Sequence, residues 1–253
     1  MEILKTQNIS KIYGSSRKGS KQYTAIKNIS FTVNEGEFIG IMGASGSGKT
    51  TLLNILGSID RATTGRLFIA GQDISSLKQK QLARHRMENI GFIFQDYNLL
   101  ETMTIKENII LPLALSGCRA EIMEQEAARL ADDLGIASIL DKYSYEVSGG
   151  EQQRAAACRA LISNPKIILA DEPTGNLDSK SGRDLLQLLA FINQEHRATI
   201  IMVTHDAFAA SYCRRILFIR DGEIYNQLHA GESKKEFFDS IIDVMSVLGG
   251  EEK

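Results

Sequence analysis

Apolar and polar residues alternate with a period of two along the first third of the chain, which indicates β-strands. The segments "MEILKTQNIS" and "AIKNISFTV" have this pattern, "GEFIGIM" is a continuous apolar run typical of a buried strand, and "GRLFIAGQDI" has the pattern of a hairpin. Residues 50–59 have helical spacing. Between the first two strands, "GSSRKGSKQ" is rich in Gly, Ser and charge, which predicts an exposed loop.

From about residue 97 to residue 160 the pattern turns helical, as in "RAEIMEQEAARLADDLGI". The short apolar runs "PKIILADEP" and "ATIIMVTHD" then flank the helical "SKSGRDLLQLLAFINQE", and "RILFIRDGEIY" returns to strand. Strands that alternate with helices predict a parallel sheet with helices on its faces. We therefore expect an α/β core with a β lobe at about 1–96 and 161–228, and a separate helical lobe at about 97–160.

The tail at about 232–250 has an apolar stripe with helical spacing, which predicts one more helix. The stripe has two candidate positions, against the core of this chain or against a partner, and base rates favour the core. Its members are Phe237, Phe238, Ile241, Ile242, Met245 and Leu248.

Composition and charge narrow the class of protein. Of 253 residues, 43 % are apolar and 24 % are charged, which is ordinary for a globular chain. The net charge of −2 gives no electrostatic reason to expect a nucleic-acid partner. The three cysteines have no zinc-site spacing, and we interpret them as reduced thiols. No apolar run approaches the roughly 20 residues that span a bilayer, so at a membrane another chain must supply the spanning helices.

The segment "GASGSGKT" at residues 43–50 fits the phosphate-loop pattern of Gly, four residues and Gly-Lys-Ser/Thr. It follows the strand "FIGIM" and precedes the helical "TLLNILG", the context that this pattern requires. Lys49 would reach the β and γ phosphates, and Thr50 would bind Mg²⁺. A Gly-rich turn before a helix is the alternative. The candidate nucleotide-binding residues are Gly43, Ala44, Ser45, Gly46, Ser47, Gly48, Lys49, Thr50 and Thr51.

Polar side chains follow three other apolar runs. Asp171 and Glu172 end "IILADE", where Asp171 would bind Mg²⁺ and Glu172 would act as the general base for water. His205 follows "TIIMVT" at the same expected edge of the sheet and would contact the γ-phosphate, and Gln95 follows "IGFIF" and would reach Mg²⁺ or the attacking water. Structural roles are the alternative for each. His85, His196 and His229 lie in polar sequence, and we expect them at the surface.

A second candidate anion site lies about a hundred residues after the first. In "VSGGEQQR", a serine and two glycines precede the helical "EQQRAAACRALI". The free N–H groups and the dipole of a helix N-terminus favour a negative charge. The chain therefore has two phosphate-binding segments, and one nucleotide-hydrolysing domain requires only the first.

Together these motifs resemble those of the ATP-binding subunits of ABC transporters. The carriers are the phosphate loop, "FQD" with Gln95, "VSGGEQQR", "ILADEP", "GNLD" with Asp178 and "VTHD" with His205, in the order of that family. The resemblance covers almost the whole chain. It implies an α/β fold with a RecA-like P-loop NTPase core, an antiparallel β subdomain and an inserted α-helical subdomain.

The resemblance also implies why there are two phosphate-binding segments. Two subunits would dimerise head to tail, so that Ser148, Gly149 and Gly150 of one cover the ATP on the phosphate loop of the other. Asp178 would lie at the dimer interface, and Tyr13 would stack on adenine unless it is an ordinary strand tyrosine. ATP and Mg²⁺ would be the cofactors, and the ATPase would work with an integral-membrane permease at the cytoplasmic face of a bacterial membrane.

One position departs from the commonest pattern of the family, because Glu151 stands where glutamine is usual. A carboxylate in the first helical turn suits the helix dipole but would repel a phosphate that it faced. We therefore expect the Glu151 side chain to face away from the nucleotide.

Within the family the chain resembles the lipoprotein-release and macrolide-export branch, and most of all ATPases that confer resistance to bacitracin and other cell-wall-active peptides. The resemblance to these resistance ATPases rests on the segment "ASYCRRILFIRDG" and on the tail "FFDSII…VLGG". A DNA-repair ATPase would carry a long coiled-coil insertion or a zinc module, and neither is present. A signalling module that acts on a sensor kinase through the permease uses the same ATP switch, so it stays open. The predicted permease contact is Tyr97, Leu99 and Leu100, and packing inside the helical lobe is the alternative.

Overall fold

The computed structural model describes residues 1–14, 22–195 and 197–249. Almost all of the predicted loop "GSSRKGSKQ" lies outside these ranges, as does His196. The strands are β1 (Glu2–Tyr13), β2 (Tyr23–Ile29), β3 (Thr32–Asn34), β4 (Phe38–Met42), β5 (Thr64–Ile69), β6 (Gln72–Asp73), β7 (Ile90–Ile93), β8 (Ile167–Asp171), β9 (Ile200–Val203), β10 (Arg215–Arg220) and β11 (Glu223–His229). The helices are α1 (Lys49–Leu56), α2 (Gln79–Asn89), α3 (Ile105–Leu115), α4 (Ala120–Asp133), α5 (Gly149–Leu161), α6 (Ser179–Glu195), α7 (Ala207–Ala210) and α8 (Lys234–Gly249).

The central sheet has the strand order β11-β10-β4-β9-β8-β7. Strands β10, β4, β9, β8 and β7 are parallel, and β11 pairs antiparallel with β10. This confirms the α/β fold that the alternation of strands and helices predicts. In a parallel sheet the carboxyl ends of the strands meet at one edge. The residues that follow Met42, Ile93, Asp171 and Val203 therefore lie along that edge.

The second sheet is antiparallel, with the order β2-β1-β5-β6 and β3 paired with β1. It covers the α1 face of the central sheet, where apolar residues such as Ile9, Ile26, Leu52 and Ile201 form one buried cluster. The helices α3 to α6 pack in a second cluster on the opposite face, with Ile109, Leu130, Ala157 and Leu189 among its members. None of the helices in the described ranges combines the length and apolar character that crossing a bilayer requires.

Helix α8 packs its predicted stripe on the core of the same chain. Phe237 and Ile241 are buried members of the main cluster, and Met245 and Leu248 pack against it. Two members of the stripe lie outside this cluster, Ile242, which is 44 % exposed, and Phe238, which is half-buried. Helix α2 shows little apolar periodicity, since Leu82 is its one buried aliphatic residue, and the sequence pattern did not predict it.

The prediction of a surface position is wrong for His85. Its side chain on α2 is buried, and neither ring nitrogen has a hydrogen-bond partner within the described residues. The polar sequence around it reflects the exposed face of α2, whereas His85 lies on the buried face with Leu82. Burial lowers the pKa of His85 below its ordinary 6.5, and the carboxylate of Glu88 opposes this shift. His229, by contrast, is exposed as predicted.

This burial predicts a stability difference that grows as the pH falls. The folded pKa of His85 lies below the unfolded value of 6.5, so the unfolded chain binds more protons at acid pH and stability is lost. We expect His85→Leu to gain relative to the wild type by up to about 1.4 kcal/mol per pH unit below about pH 6.5. Urea unfolding at several pH values measures it, with exposed His229→Leu as control. A difference between His85→Leu and the wild type that does not change with pH contradicts the account.

Candidate nucleotide site

The phosphate loop connects β4 to α1 and is shaped by its glycines. Gly48 has a φ of 105°, and a Cβ there would lie 2.5 Å from the backbone oxygen of Ala25, so both conformation and space require glycine. The Lys49 ammonium donates to the carbonyls of Gly43 and Ala44 at 2.9 Å each. Burial lowers the pKa of Lys49, while the Glu172 and Asp171 carboxylates oppose the shift. A buried cation thus lies at the base of the loop.

The rest of the loop is open to an incoming anion. Ala44, Ser45, Gly46 and Thr50 are exposed, and Thr50 lies in the first turn of α1. Ser47 is buried, and its hydroxyl has no hydrogen-bond partner among the described residues. The free N–H groups of a helix N-terminus and an unpaired hydroxyl suit a phosphate.

Asp171 is the last residue of β8, at the carboxyl-terminal edge of the central sheet. Its carboxylate is close enough to the Lys49 ammonium of the phosphate loop to interact with it electrostatically. Burial raises the pKa of Asp171, the neighbouring Glu172 carboxylate raises it further, and the Lys49 ammonium offsets part of this. Its Oδ1 atom is buried without a hydrogen-bond partner within the described residues. A divalent cation would stabilise such a carboxylate. The oxygen donors of Thr50, Gln95 and Asp171 are those that Mg²⁺ prefers, so the residues fit this ion.

Glu172 and His205 form a pair at the carboxyl ends of β8 and β9. The His205 Nδ1 atom lies 2.8 Å from the Glu172 carboxylate oxygen. The Glu172 side chain is mostly buried, whereas the His205 side chain is 70 % exposed. Glu172 also has a φ of 45°, a left-handed conformation that is uncommon for a residue with a side chain and is often found at functional sites. The structure therefore brings these two predicted site residues together.

Gln95 follows β7 and is held by the loop after β8. Its Nε2 donates to the Asn176 side chain at 3.2 Å, and the Asn176 amide donates to the Gln95 carbonyl at 3.3 Å and to Asp96 at 2.8 Å. Gly175 leaves room for this packing, since a Cβ there would lie 2.9 Å from Gln95 Nε2. Asn176 was not among the predicted site residues, although it lies inside the motif "GNLD".

The serine and glycines of "VSGGEQQR" form the N-terminus of α5. Ser148 is the N-cap, and its hydroxyl accepts from the Glu151 N–H at 3.4 Å. The Glu151 carboxylate in turn accepts from the Ser148 N–H at 2.8 Å and the Ser148 hydroxyl at 2.7 Å. In the separate subunit the Glu151 carboxylate therefore points back to the start of its own helix, and its orientation relative to a nucleotide stays a prediction. The physical reason is the capping box, which directs the carboxylate back to the free N-terminal N–H groups.

The two glycines pack tightly on the neighbouring loops. A Cβ at Gly149 would lie 2.8 Å from the Tyr97 hydroxyl, and one at Gly150 would lie 3.1 Å from the Ser181 hydroxyl. Ser181 donates at 2.7 Å to Asp178, whose carboxylate also accepts N–H groups in the first turn of α6. The start of α5 thus contacts both the loop after Gln95 and the loop that contains Asp178.

Two side chains of α5 that were not predicted as site residues, Gln153 and Arg159, hold these loops to the helix. Gln153 is fully buried and donates to the carbonyls of Phe94 at 3.3 Å and Pro173 at 2.9 Å. Arg159 donates to the carbonyls of Asn98 at 2.5 Å and Tyr97 at 2.7 Å. The available signal was a glutamine at helical spacing with Ala156, Ala157 and Ala160, on what becomes the buried face.

Tyr13 lies at the end of β1 beside Thr51 of α1, which is within hydrogen-bonding reach of its hydroxyl. The hydroxyl donates to Asp60 at 2.8 Å, and the Lys11 ammonium lies 4.8 Å from the centre of the ring. Burial raises the pKa of Tyr13, and so does Asp60. Tyr13 is therefore next to the phosphate loop, but a cation already covers one face of its ring. Its contact with adenine stays a prediction.

The three residues of the predicted permease contact, Tyr97, Leu99 and Leu100, lie in different environments. Tyr97 faces the start of α5, and Leu99 packs against the main core cluster, which matches the alternative of packing inside the helical lobe. Leu100 is 45 % exposed. A cleft of about 430 Å³ lies nearby between α2, β7, α3 and α5, and its apolar lining comes from Met87, Phe92, Phe94, Leu111, Pro112 and Leu115.

Comparison with known proteins decides the family. The profile described as ABC transporter matches residues 26–175, which include the phosphate loop, Gln95, the start of α5 and Glu172. The chain belongs to the ABC transporter family. It is the ATP-binding subunit of such a transporter, an ATPase that uses ATP and Mg²⁺.

Relatives in this family cover nearly the whole chain. The uncharacterized ABC transporter ATP-binding protein YvcR of Bacillus subtilis is 53 % identical over 99 % of this chain and 96 % of its own length. The bacitracin export ATP-binding protein BceA of Halalkalibacterium halodurans is 53 % identical over 99 % of this chain and 98 % of its own. The dimeric post-hydrolysis structure of the ATP-binding cassette MJ0796 of Methanocaldococcus jannaschii, bound to ADP and Pi, has a TM-score of 0.82 at 38 % identity, covering 90 % of this chain and 100 % of that chain.

The contacts of Gln153 predict a defect in turnover rather than in nucleotide binding. Gln153→Leu leaves the buried Pro173 carbonyl without its donor, and the Phe94 carbonyl keeps only the Tyr97 N–H at 3.3 Å. The variant loosens the loops that carry Gln95 and Glu172, but it does not touch the phosphate loop. We expect a roughly tenfold or larger loss of kcat, because small misplacements of reacting groups are costly. The affinity for ATP should change less than about threefold. Steady-state ATPase assays and nucleotide titration measure the two quantities.

The matched control is Gln152→Leu, since among the described residues the Gln152 side chain donates only to the Val147 carbonyl, at 3.3 Å, just before its own helix. An equal loss of kcat in both variants, or a Gln153→Leu variant with wild-type kcat, would argue against a positioning role for Gln153.

Proposed function

We propose that this ATPase works as a head-to-tail dimer in which each ATP is bound between the phosphate loop of one subunit and the start of α5 of the other. The observation that carries the proposal is the separation of two anion sites in one chain. Ser148 is exposed, and no hydrogen bond among the described residues joins residues 148–150 to the phosphate loop. A phosphate that both segments bind would then come from two chains.

Within each shared site the residues have distinct roles. The phosphate loop from Gly43 to Thr51 binds the phosphates, with Lys49 as the cation, and the partner's Ser148, Gly149 and Gly150 complete the cage. Thr50, Gln95 and Asp171 would hold Mg²⁺, which neutralises phosphate charge when bound. Glu172 accepts the proton of the attacking water as general base.

His205 holds the Glu172 carboxylate and faces the γ-phosphate. Tyr13 contacts the adenine, and Asp178 lies at the interface between the two sites. Because ATP joins the subunits and hydrolysis removes the γ-phosphate that both contact, the cycle of binding and hydrolysis switches the dimer between two states.

The second part of the proposal is that the switch drives an integral-membrane permease at the cytoplasmic face of a bacterial membrane. The apolar cleft between α2 and α3 supports it, since a groove of this kind suits a short amphipathic element of a partner. Arg159 lines the cleft and donates to the loop after Gln95. An occupant of the cleft would therefore be coupled to the site.

The third part concerns the biological output. We infer that the transporter protects the cell from a cell-wall-active peptide such as bacitracin, on the basis of the relative named for bacitracin export. A macrolide export protein of Syntrophobacter fumaroxidans is 43 % identical over 88 % of this chain and supports the alternative of macrolide export or lipoprotein release. The peptide assignment is preferred because the similarity to BceA is higher and covers 99 % of the chain, so it includes α8.

The shared site predicts a dimer that requires ATP. Glu172→Gln keeps the shape of the base but not its function, so this variant should accumulate the ATP-bound state and elute as a dimer with MgATP and a monomer without it. Adding Ser148→Arg places a cation and extra bulk at the interface and should return the protein to monomer. Size exclusion with light scattering measures the mass. A dimer that ignores both ATP and Ser148→Arg would contradict the proposal.

The resistance assignment predicts a phenotype. Deletion of the gene should lower the minimal inhibitory concentration of at least one cell-wall-active peptide, and a wild-type copy should restore it. A copy with Glu172→Gln should not, because ATP hydrolysis is needed. If every peptide keeps its potency while export of a macrolide or release of lipoproteins fails, the alternative assignment replaces this one.

A further inference from the structure

Glu151 and a bound γ-phosphate would compete for the same proton. A serine hydroxyl has one proton to donate, and the Ser148 hydroxyl donates it to the Glu151 carboxylate at 2.7 Å. In the proposed dimer the Ser148 hydroxyl contacts the γ-phosphate of the partner's ATP. The hydroxyl then has to exchange one anionic acceptor for another.

The carboxylate also remains close to the phosphate after this exchange. The Glu151 oxygen that lies 2.7 Å from the Ser148 hydroxyl is held there by the Ser148 N–H as well, so it keeps its place when the hydroxyl turns to a phosphate. A phosphate oxygen about 2.7 Å from the same hydroxyl oxygen is then at most roughly 5 Å from the carboxylate. The Ser148 N–H, which donates to Glu151 at 2.8 Å, is likewise engaged by the carboxylate. Hydrogen bonds from Ser148 lower the pKa of Glu151, so the group is anionic at neutral pH. Arg154 and Lys142 are the cations that contribute to the same shift, but less than Ser148 does.

The charge of Glu151 therefore stabilises the separate subunit and destabilises the ATP-bound dimer. In a single subunit the carboxylate caps α5 and suits the positive end of the helix dipole. In the ATP-bound dimer the same charge faces a phosphate across the shared hydroxyl. A glutamine at this position would keep the cap, because its amide oxygen accepts the same hydrogen bonds, and it would add no negative charge.

We propose that Glu151 tunes the affinity of the shared ATP site, by weakening the ATP-bound dimer while it stabilises the separate subunit. The inference rests on the proposed head-to-tail dimer and extends it to the regulation of the same site. It makes Glu151 a positioning residue that acts through Ser148.

The test compares variants in the full chain with Glu172→Gln, so that ATP is not consumed. Glu151→Gln should lower the MgATP concentration for half-maximal dimer formation by about tenfold. Repulsion between two unit charges about 5 Å apart would weaken binding roughly fourfold at the dielectric constant of bulk water and about a hundredfold or more at that near a protein surface, and the expected effect lies between these limits. The gain should shrink in high salt, which screens exposed charges. Without nucleotide, Glu151→Gln should melt at the same temperature as its parent or slightly lower.

The matched control is Glu146→Gln. Glu146 makes the same kind of cap, accepting from the Tyr143 N–H at 2.7 Å, but it caps a different short helix. It should leave the MgATP dependence of the dimer unchanged. A structural defect would weaken the dimer, so a gain that only Glu151→Gln produces supports the proposal.

Three outcomes overturn it. If the Glu172→Gln dimer forms and Ser148→Arg abolishes it, but Glu151→Gln gives no gain, this inference fails and the proposed function stands. If Glu146→Gln gives the same gain, the effect is one of net charge and the inference also fails. If no variant dimerises with MgATP, the proposed function and this inference fail together.

Discussion

The parallel order of β4, β9, β8 and β7 is the constraint on which the candidate site depends. Because the carboxyl ends of these strands share one edge, segments from distant parts of the sequence meet there. The result is a cluster of buried or partly buried charged groups, Lys49, Asp171 and Glu172, that do not fully compensate one another. Lys49 is buried, and the pKa of Asp171 is raised by burial and by Glu172. A phosphate with its Mg²⁺ supplies the negative and positive charges that these groups lack, which gives the chain its affinity for a nucleotide.

Helix α5 connects the second anion site, at its N-terminus, to the segments that follow β7 and β8. Gln153 binds a backbone carbonyl beside each of the predicted reactive groups Gln95 and Glu172, and Arg159 binds the loop after Gln95. Gly149 packs on Tyr97 and Leu177, and Gly150 packs on Ser181 at the start of α6. Helix α5 is therefore bonded directly to the segment around Gln95 and to the loop after Glu172. In physical terms, the part of the chain that would contact a partner's ATP is mechanically connected to the part that would hydrolyse its own. That connection is what a transporter needs if two hydrolysis events are to be coupled.

The sequence predicted the local structure of the candidate site better than the packing between its segments. The strand–loop–helix around Lys49, the strand before Asp171 and the helix after Ser148 follow from local patterns, because each depends on a short segment with a defined backbone. The roles of Asn176, Gln153 and Arg159 depend on contacts between segments that lie 20 to 80 residues apart, from the pair Gln153–Pro173 to the pair Asn176–Asp96. No local pattern contains this information. His85 was misplaced for the same reason, because its burial depends on how α2 packs.

The central claim is that one ATP is bound by two chains. The most direct measurement is a crystal structure of the Glu172→Gln protein with MgATP. The account predicts a dimer in which a γ-phosphate oxygen lies about 3 Å from the Ser148 hydroxyl and the Gly150 N–H of the other subunit, with Lys49 of the first subunit on the same phosphate. A structure in which ATP occupies the phosphate loop while the start of α5 of every subunit faces solvent would contradict it.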